Sequence, residues 1–205
     1  MTDNKKICIP FNKIKVFGNE LSQIDDILKS GYTILNKNIL RKNKDFFFER
    51  FNFNPTSQFF THTCSHALEM IALACNLSND DEIIVPSYTF VTSVSSFKLR
   101  GAKLIFVDSN KTNPNIDCDK IEEVITKKTK IIVCVHYAGI PCDIDKLLYL
   151  CNKYNIILVE DAAQSINSFY KGKPLGSFGK FSTFSFHETK NIQCGEGGLL
   201  IVNDK

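Results

Sequence analysis

Short apolar runs alternate with amphipathic stretches from Ser57 to the end of the chain. This alternation is typical of repeated βα units, in which helices cover both faces of a largely parallel sheet. It therefore predicts an α/β fold with a mostly parallel sheet. The predicted strands cover residues 58–61, 82–85, 104–107, 130–135, 156–159, 181–186 and 199–202, and the predicted helices cover residues 66–75, 89–99, 119–125 and 143–152.

The first 55 residues have a different pattern and are predicted to form a helical arm before an α/β core at residues 56–205. Apolar residues recur at helical spacing from Leu21 to Leu28, and Ser30-Gly31 ends that helix. A second helix is predicted at residues 45–51, where aromatic side chains need a core or a partner to cover them. With 43% apolar residues, the 205-residue chain can bury a substantial core, and we expect a single domain.

Charge and cysteine usage narrow the possible functions. The net charge is only +3, and the basic clusters at residues 41–44 and 127–130 lack the interleaved aromatic residues of a single-strand nucleic-acid binder. The eight cysteines include no CxxC pair, and His62, Cys64 and His66 match no common zinc pattern. No secretory leader or membrane-spanning run is visible. We therefore expect a cytoplasmic protein with free thiols that binds no metal, nucleic acid or membrane.

Ligands of parallel sheets bind beyond the carboxyl ends of the strands, and two polar segments lie there. Asp161 follows the strand at residues 156–159; its carboxylate could bind a cationic heterocycle, or it could simply cap a helix. The turn Cys64-Ser65 opens a helix, so its N–H groups and the Ser65 hydroxyl could bind a phosphate, although an ordinary helix cap has the same pattern.

Two further residues gain interest from their positions. Phe90 lies just beyond a strand, where its ring could stack on a planar cofactor or pack in the core. Lys190 lies in a polar turn before the glycine cluster 195–198; it could form a Schiff base, although an isolated lysine is usually a solvated surface residue. The glycine cluster precedes a strand instead of opening a helix, which argues against a dinucleotide-binding loop.

The order of these features is more informative than any one of them. A phosphate-binding turn, an aromatic stacker, a carboxylate and a lysine occur in sequence along one predicted sheet edge. A pyridoxal 5′-phosphate (PLP) enzyme needs a lysine that forms an imine, an acid that keeps the pyridine nitrogen protonated, and a helix terminus for the phosphate. The sequence therefore predicts a PLP site.

The sequence also resembles the DegT/DnrJ/EryC1/StrS family of sugar aminotransferases. The resemblance runs from about residue 9 to residue 205. The segments that carry it are residues 86–91 (PSYTFV), 99–103 (LRGAK), 136–139 (HYAG), 159–164 (VEDAAQ), 185–191 (SFHETKN) and 195–198 (GEGG), together with Val107-Asp108. It implies the large domain of a fold-type I PLP-dependent aminotransferase.

The resemblance also implies a role for each candidate residue. Lys190 would attach PLP and then move a proton between substrate and cofactor. Asp161 would bind the pyridine nitrogen, and Gln164 would lie near the ring hydroxyl. Ser185, with the Cys64-Ser65 turn, would hold the phosphate, while Phe90 would stack on the ring.

The reaction implied by the resemblance transfers an amino group from L-glutamate to the 4-keto carbon of a nucleotide-linked 4-keto-6-deoxyhexose. The resemblance is strongest to transaminases that make dTDP-4-amino-4,6-dideoxygalactose for surface polysaccharide, and these enzymes are homodimers. Some relatives are dehydratases with histidine in place of the lysine, so Lys190 favours transamination. The small C-terminal domain of such enzymes is expected to be absent here, which leaves a second hypothesis: a truncated, non-catalytic or merely cofactor-binding form.

Overall fold

The computed structural model describes residues 9–10, 12–14, 17–31 and 37–203. It divides into two compact units, one up to Arg41 and one from Lys42 onward, and each is described by itself. The helices are α1 (Glu20–Lys29), α2 (Lys37–Phe51), α3 (Cys64–Ala74), α4 (Thr92–Lys98), α5 (Cys118–Val124) and α6 (Ile144–Tyr154). The strands are β1 (Gln58–Thr61), β2 (Glu82–Pro86), β3 (Lys103–Val107), β4 (Thr129–Val135), β5 (Ile157–Asp161), β6 (Phe169–Tyr170), β7 (Lys173–Pro174), β8 (Phe181–Ser185) and β9 (Gly198–Val202).

Seven of these strands form one mixed sheet in the order β1-β9-β8-β5-β4-β2-β3. The pairs from β8 to β3 are all parallel, whereas β9 runs antiparallel to both β1 and β8. The predicted α/β fold with a mostly parallel sheet is confirmed.

Side chains of the central strands alternate between two hydrophobic cores. Ile131 and Val133 of β4 belong to the core that includes residues of α3 and α4. Ile132 and Cys134 of the same strand belong to the core that includes residues of α5 and α6. Helices therefore cover both faces of the sheet, which is why these strands read as continuous apolar runs in the sequence.

A third core is aromatic. Phe47 and Phe51, near the end of α2, are each 5% exposed and pack with Phe53, Phe184 and Phe186. Neighbouring ring centroids in this group lie 5.5–5.9 Å apart, a favourable range for aromatic pairs. Part of the aromatic segment predicted at residues 45–51 is thus covered by the sheet.

Several predicted boundaries shift in the structure. α2 begins at Lys37, not at residue 45, because the only apolar residues of its first two turns, Ile39 and Leu40, are adjacent and show no helical periodicity. α4 begins at Thr92, not at residue 89, and β5 extends through Asp161, beyond the predicted end at residue 159. The hairpin of β6 and β7 was not predicted, since two-residue strands have no periodicity.

Within the predicted arm at residues 1–55, residues 1–8, which form the polar start of the chain, and residues 11, 15–16 and 32–36 lie outside the described residues. In α1, which belongs to the first unit, Leu21, Ile24 and Leu28 are exposed. No helix in the described ranges is long and apolar enough to cross a bilayer.

Candidate active site

A cavity of about 560 Å³ lies at the carboxyl edge of the sheet, beside the first turn of α3. The structure brings all seven sequence-predicted site residues to its lining: Cys64, Ser65, Phe90, Asp161, Gln164, Ser185 and Lys190. These residues come from four separate segments of the chain, so their convergence is a property of the fold. Their individual roles remain predictions.

One end of the cavity is formed by the start of α3. Thr63 is the N-cap residue, and its hydroxyl accepts a hydrogen bond from the backbone N–H of His66 at 3.1 Å. Cys64 and Ser65 occupy the first two helical positions, whose N–H groups have no acceptor within the helix. Because α3 has 11 residues, the positive end of its dipole adds to the preference of this turn for an anion.

Gly198 explains why Ser185 lies next to this helix start. It pairs with Thr61 of β1 on one side and with Ser185 of β8 on the other. A Cβ atom at Gly198 would lie 2.5 Å from the carbonyl oxygen of Thr63 and 2.6 Å from the nitrogen of Cys64. Only glycine allows β9 to pass this close to the turn, which brings the Ser185 hydroxyl to the same end of the cavity.

Asp161 is the buried acid of the cavity, only 3% exposed. One carboxylate oxygen accepts a hydrogen bond from the Ser93 hydroxyl at 2.6 Å, and the other accepts from the Ala163 N–H at 3.1 Å. The Ser93 hydroxyl in turn accepts from the Thr89 hydroxyl at 2.8 Å. Burial raises the pKa of Asp161, although these donors and the nearby charge of Lys190 act in the opposite direction.

The alternative interpretation of Asp161 as a helix cap is wrong, because it is the last residue of β5 and no helix begins after it. Its carboxylate is instead held by donors that leave it facing the cavity. A buried carboxylate with a raised pKa is stabilised when a cationic group is placed beside it.

Gln164 is held by a backbone donor on a neighbouring loop. Its side-chain oxygen accepts a hydrogen bond from the N–H of Ala138 at 2.6 Å. Because a backbone N–H can only donate, the amide oxygen is the atom engaged, and the amide NH₂ is available for an acceptor in the cavity. The loop is itself fixed by Asn115, whose side-chain oxygen accepts from the N–H of Tyr137 at 3.0 Å.

Lys190 lies in the connection between the antiparallel strands β8 and β9. The N–H of Glu188 donates to the Gly195 carbonyl at 3.0 Å, and the N–H of Lys190 donates to the His187 carbonyl at 2.9 Å. These bonds fix the backbone of the connection and place the half-buried Lys190 side chain on the cavity. Across the described residues, no ion pair or hydrogen bond is found for its Nζ, and its charge acts on both Asp161 and Cys64.

The sequence did not reveal every residue of this site. Ser93, Thr63 and Tyr137 also line the cavity, but no role was predicted for them, although Tyr137 lies in the segment at residues 136–139. The hydroxyl groups of Tyr137 and Tyr88 lie 3.4 Å apart. Phe90, on the loop after β2, is 71% exposed.

His136, by contrast, is an interior histidine and does not line the cavity. Its Nε2 lies 3.0 Å from Glu160 Oε2, and both side chains are fully buried. Burial acts to raise the pKa of Glu160, but hydrogen bonds from His136, Gly179 and Gly176 outweigh it and hold that pKa below its ordinary value.

Comparison with known proteins agrees with this geometry. The profile of the DegT/DnrJ/EryC1/StrS aminotransferase family matches residues 19–205, and the chain belongs to this family. GDP-perosamine synthase of Escherichia coli O157:H7 is 38% identical over 197 residues, which cover 96% of this chain and 54% of the relative. The chain spans about half the length of the proteins it matches.

Two solved structures show the same fold. An aminotransferase from Psychrobacter cryohalolentis has a TM-score of 0.86 at 33% identity, over 95% of this chain and 50% of that one. GDP-4-keto-6-deoxy-D-mannose-3-dehydratase of E. coli, solved with bound hydrated PLP, has a TM-score of 0.89 at 26% identity, over 97% and 52%. The fold is therefore that of the large domain of PLP-dependent aminotransferases.

Proposed function

We propose that this chain is the PLP-binding large domain of a nucleotide-sugar aminotransferase, with Lys190 as the lysine that bonds the cofactor. The observation that carries the proposal is the convergence of Lys190, the buried Asp161 and the start of α3 on one cavity. PLP, when bound, supplies an electron sink for negative charge that develops at the substrate carbon.

The phosphate and the ring of PLP would occupy different parts of the cavity. The N–H groups of Cys64 and Ser65, with the hydroxyl groups of Ser65 and Ser185, would hold the phosphate. Burial raises the pKa of the Cys64 thiol, so this side chain is neutral and adds no repulsion to the phosphate. The exposed Phe90 ring would cover one face of the cofactor.

Asp161 and Gln164 would bind polar atoms of the ring. A protonated pyridine nitrogen next to Asp161 would donate a charge-assisted hydrogen bond to the buried carboxylate and place a cation beside it. The NH₂ of Gln164 would donate to the ring hydroxyl, because the side-chain oxygen already accepts from the Ala138 N–H.

Lys190 has two proposed tasks. Its Nζ would bond the cofactor covalently, and after substrate displaces it the same amine would carry a proton at the reacting carbon. An amine without a competing ion pair in the described part of the chain is free for both tasks. His187, whose Nε2 lies 3.4 Å from Glu196 Oε1, would hold the connection that carries Lys190.

The proposed amino donor is L-glutamate, and the proposed acceptor is a nucleotide-linked 4-keto-6-deoxyhexose used for surface polysaccharide. GDP-perosamine synthase and GDP-4-keto-6-deoxy-D-mannose-3-dehydratase both carry GDP in their names. The dTDP-linked sugar expected from the sequence therefore has no support from these two relatives. We therefore propose a GDP-linked acceptor as the first to be tested. The proposal also includes a helical arm at residues 1–55 and assembly as a homodimer.

The half-reaction with L-glutamate tests this function. PLP-loaded protein should lose the absorption of the bound aldehyde form when L-glutamate is added, with release of 2-oxoglutarate. Subsequent addition of a GDP-linked or dTDP-linked 4-keto-6-deoxyhexose should restore the absorption for the accepted nucleotide only.

A control variant separates catalysis from binding. Lys190→Ala should abolish the half-reaction, while Lys173→Ala, which changes a lysine on the distant β6–β7 hairpin, should not. If the chain binds PLP through Lys190 but does not react with L-glutamate, the alternative function of a non-catalytic, cofactor-binding form is favoured. If it does not bind PLP, the proposal is wrong.

A further inference from the structure

Two cysteines and a histidine lie together on the face of the sheet covered by α5 and α6. Cys134 belongs to β4, His136 follows the end of that strand, and Cys142 precedes α6. One potential ligand atom from each residue lies within 4.8 Å of the other two. Their exposures are 0%, 0% and 3%, and none of them lines the proposed PLP cavity.

The loop between β4 and α6 folds back to make this cluster. The backbone N–H of Cys142 donates to His136 Nδ1 at 3.2 Å, and the Cys142 thiol donates to the Val135 carbonyl at 3.3 Å. Both bonds bring Cys142 to the end of β4, although eight positions separate it from Cys134 in the sequence. The proximity therefore depends on the fold and could not be read from Cys-x-x-Cys spacing.

The protonation of His136 suits a metal ligand. Because Nδ1 accepts an N–H, it carries no proton, so the ring proton is on Nε2 and is donated to Glu160 at 3.0 Å. Glu160 is fixed in turn by three backbone N–H groups at residues 176–179, at 2.6–2.8 Å. Metal-binding histidines characteristically donate their second N–H to a carboxylate that sets the tautomer and the ring orientation.

A second cavity lies next to the cluster. A cavity of about 390 Å³ is lined by Cys142 and by a second thiol, Cys118, and has the carboxylates of Asp117, Asp119 and Asp143 on its wall. Of the three proposed ligands, Cys142 lines this cavity, whereas Cys134 and His136 do not. Water in the cavity, or the Cys118 thiol, can complete a fourth coordination position.

We propose that Cys134, His136 and Cys142 bind a thiophilic cation of the Zn²⁺ or Cd²⁺ class at a site separate from the PLP cavity. Two thiols with one imidazole are the ligands that such ions prefer. Each S–H bond breaks as a metal–sulfur bond forms, and two protons leave to solvent. Ligands of a tetrahedral ion lie roughly 3.3–3.8 Å apart, so the cluster contracts by up to about 1.5 Å and the Cys142 N–H leaves Nδ1.

Cadmium titration tests the proposal, because Cd²⁺ bound to thiolate has a distinctive ultraviolet charge-transfer absorption. Protein treated with chelator and carrying Cys194→Ser, which removes an exposed thiol, is titrated with Cd²⁺ and with Mg²⁺. We expect one Cd²⁺ per chain, no response to Mg²⁺, and a loss of affinity of roughly 100-fold in Cys134→Ser and in Cys142→Ser. Cys151→Ser is the matched control, since Cys151 is buried in the same core.

Two further measurements test the proposal even if the Cys134→Ser and Cys142→Ser variants do not fold. In the Cys194→Ser protein itself, Cd²⁺ at a 100-fold excess over its Kd should raise the Tm by roughly 5–10 °C. Glu160→Gln should weaken Cd²⁺ binding roughly 10- to 100-fold by disturbing His136. The proposal is wrong if there is no stoichiometric Cd²⁺ binding and no rise in Tm, or if folded Cys134→Ser and Cys142→Ser variants bind Cd²⁺ as well as Cys151→Ser does. In either case, the thiols serve only to fill the core.

Discussion

Asp161→Asn separates a cofactor-binding role of this residue from a structural one. The asparagine has nearly the same shape, and its oxygen can still accept from the Ala163 N–H while its NH₂ faces the Ser93 hydroxyl. The fold should therefore persist. What is lost is the negative charge beside the proposed pyridine nitrogen, in a position that is 3% exposed.

The size of the effect follows from this burial. Removing one partner of a buried, hydrogen-bonded charge pair costs about 3–4 kcal/mol, which corresponds to a roughly 100- to 1,000-fold weaker Kd. The Kd for PLP is measured by absorbance titration at neutral pH, with Asp80→Asn as control because that carboxylate is 89% exposed. A Kd for Asp161→Asn within threefold of the unmodified protein would refute the proposed role of Asp161.

Three other predictions concern Ser93, Gly198 and the protonation of Asp161. Ser93→Ala removes the 2.6 Å hydrogen bond to Asp161 and should weaken PLP binding about tenfold, which is less than the effect of Asp161→Asn. The Kd for PLP is measured by absorbance titration, with Ser96→Ala as the control variant. Gly198→Ala forces a Cβ against Thr63 and should lower the free energy of unfolding by about 1–3 kcal/mol in urea denaturation. Because burial raises the pKa of Asp161, its neutral form favours the folded apo protein; that contribution is lost as pH rises.

The pH prediction has a direct measurement. The Tm of the apo protein relative to Asp161→Asn should fall as the pH rises from about 3.9, the ordinary pKa of an aspartate, towards neutrality. A relative Tm that stays flat or rises over this range would contradict the raised pKa. An unchanged PLP affinity in Ser93→Ala would contradict the first of these predictions. An unchanged urea midpoint in Gly198→Ala would contradict the second.

The sequence predicted the parts of the fold that depend on apolar periodicity. The seven strands of the main sheet were located because buried parallel strands form uninterrupted apolar runs, as Ile131–Val135 does. The antiparallel direction of β9 was not predicted, since strand direction is set by the connection that carries Lys190 and not by the composition of the strand. Likewise, the β6–β7 hairpin depends on the turn at Lys171-Gly172, where both residues have positive φ.

The sequence predicted those residues of the candidate site whose functional group is one that a PLP site requires. Lys190, Asp161 and the Cys64-Ser65 turn could be identified because an amine, an acid and a helix start are each needed by PLP. Ser93 could not, because its importance comes from a 2.6 Å contact with Asp161, 68 positions away. The Cys134–His136–Cys142 cluster was not predicted for the same reason, because only folding brings its three side chains together.

The most direct test of the account is to identify the residue that bonds PLP. Protein loaded with PLP is reduced with borohydride, digested, and analysed by mass spectrometry for the pyridoxyl label. The account predicts a single labelled peptide carrying the label on Lys190, and no label in Lys190→Ala under the same conditions. A protein that remains unlabelled, or a label that lies on surface lysines such as Lys173 and persists in Lys190→Ala, would contradict it.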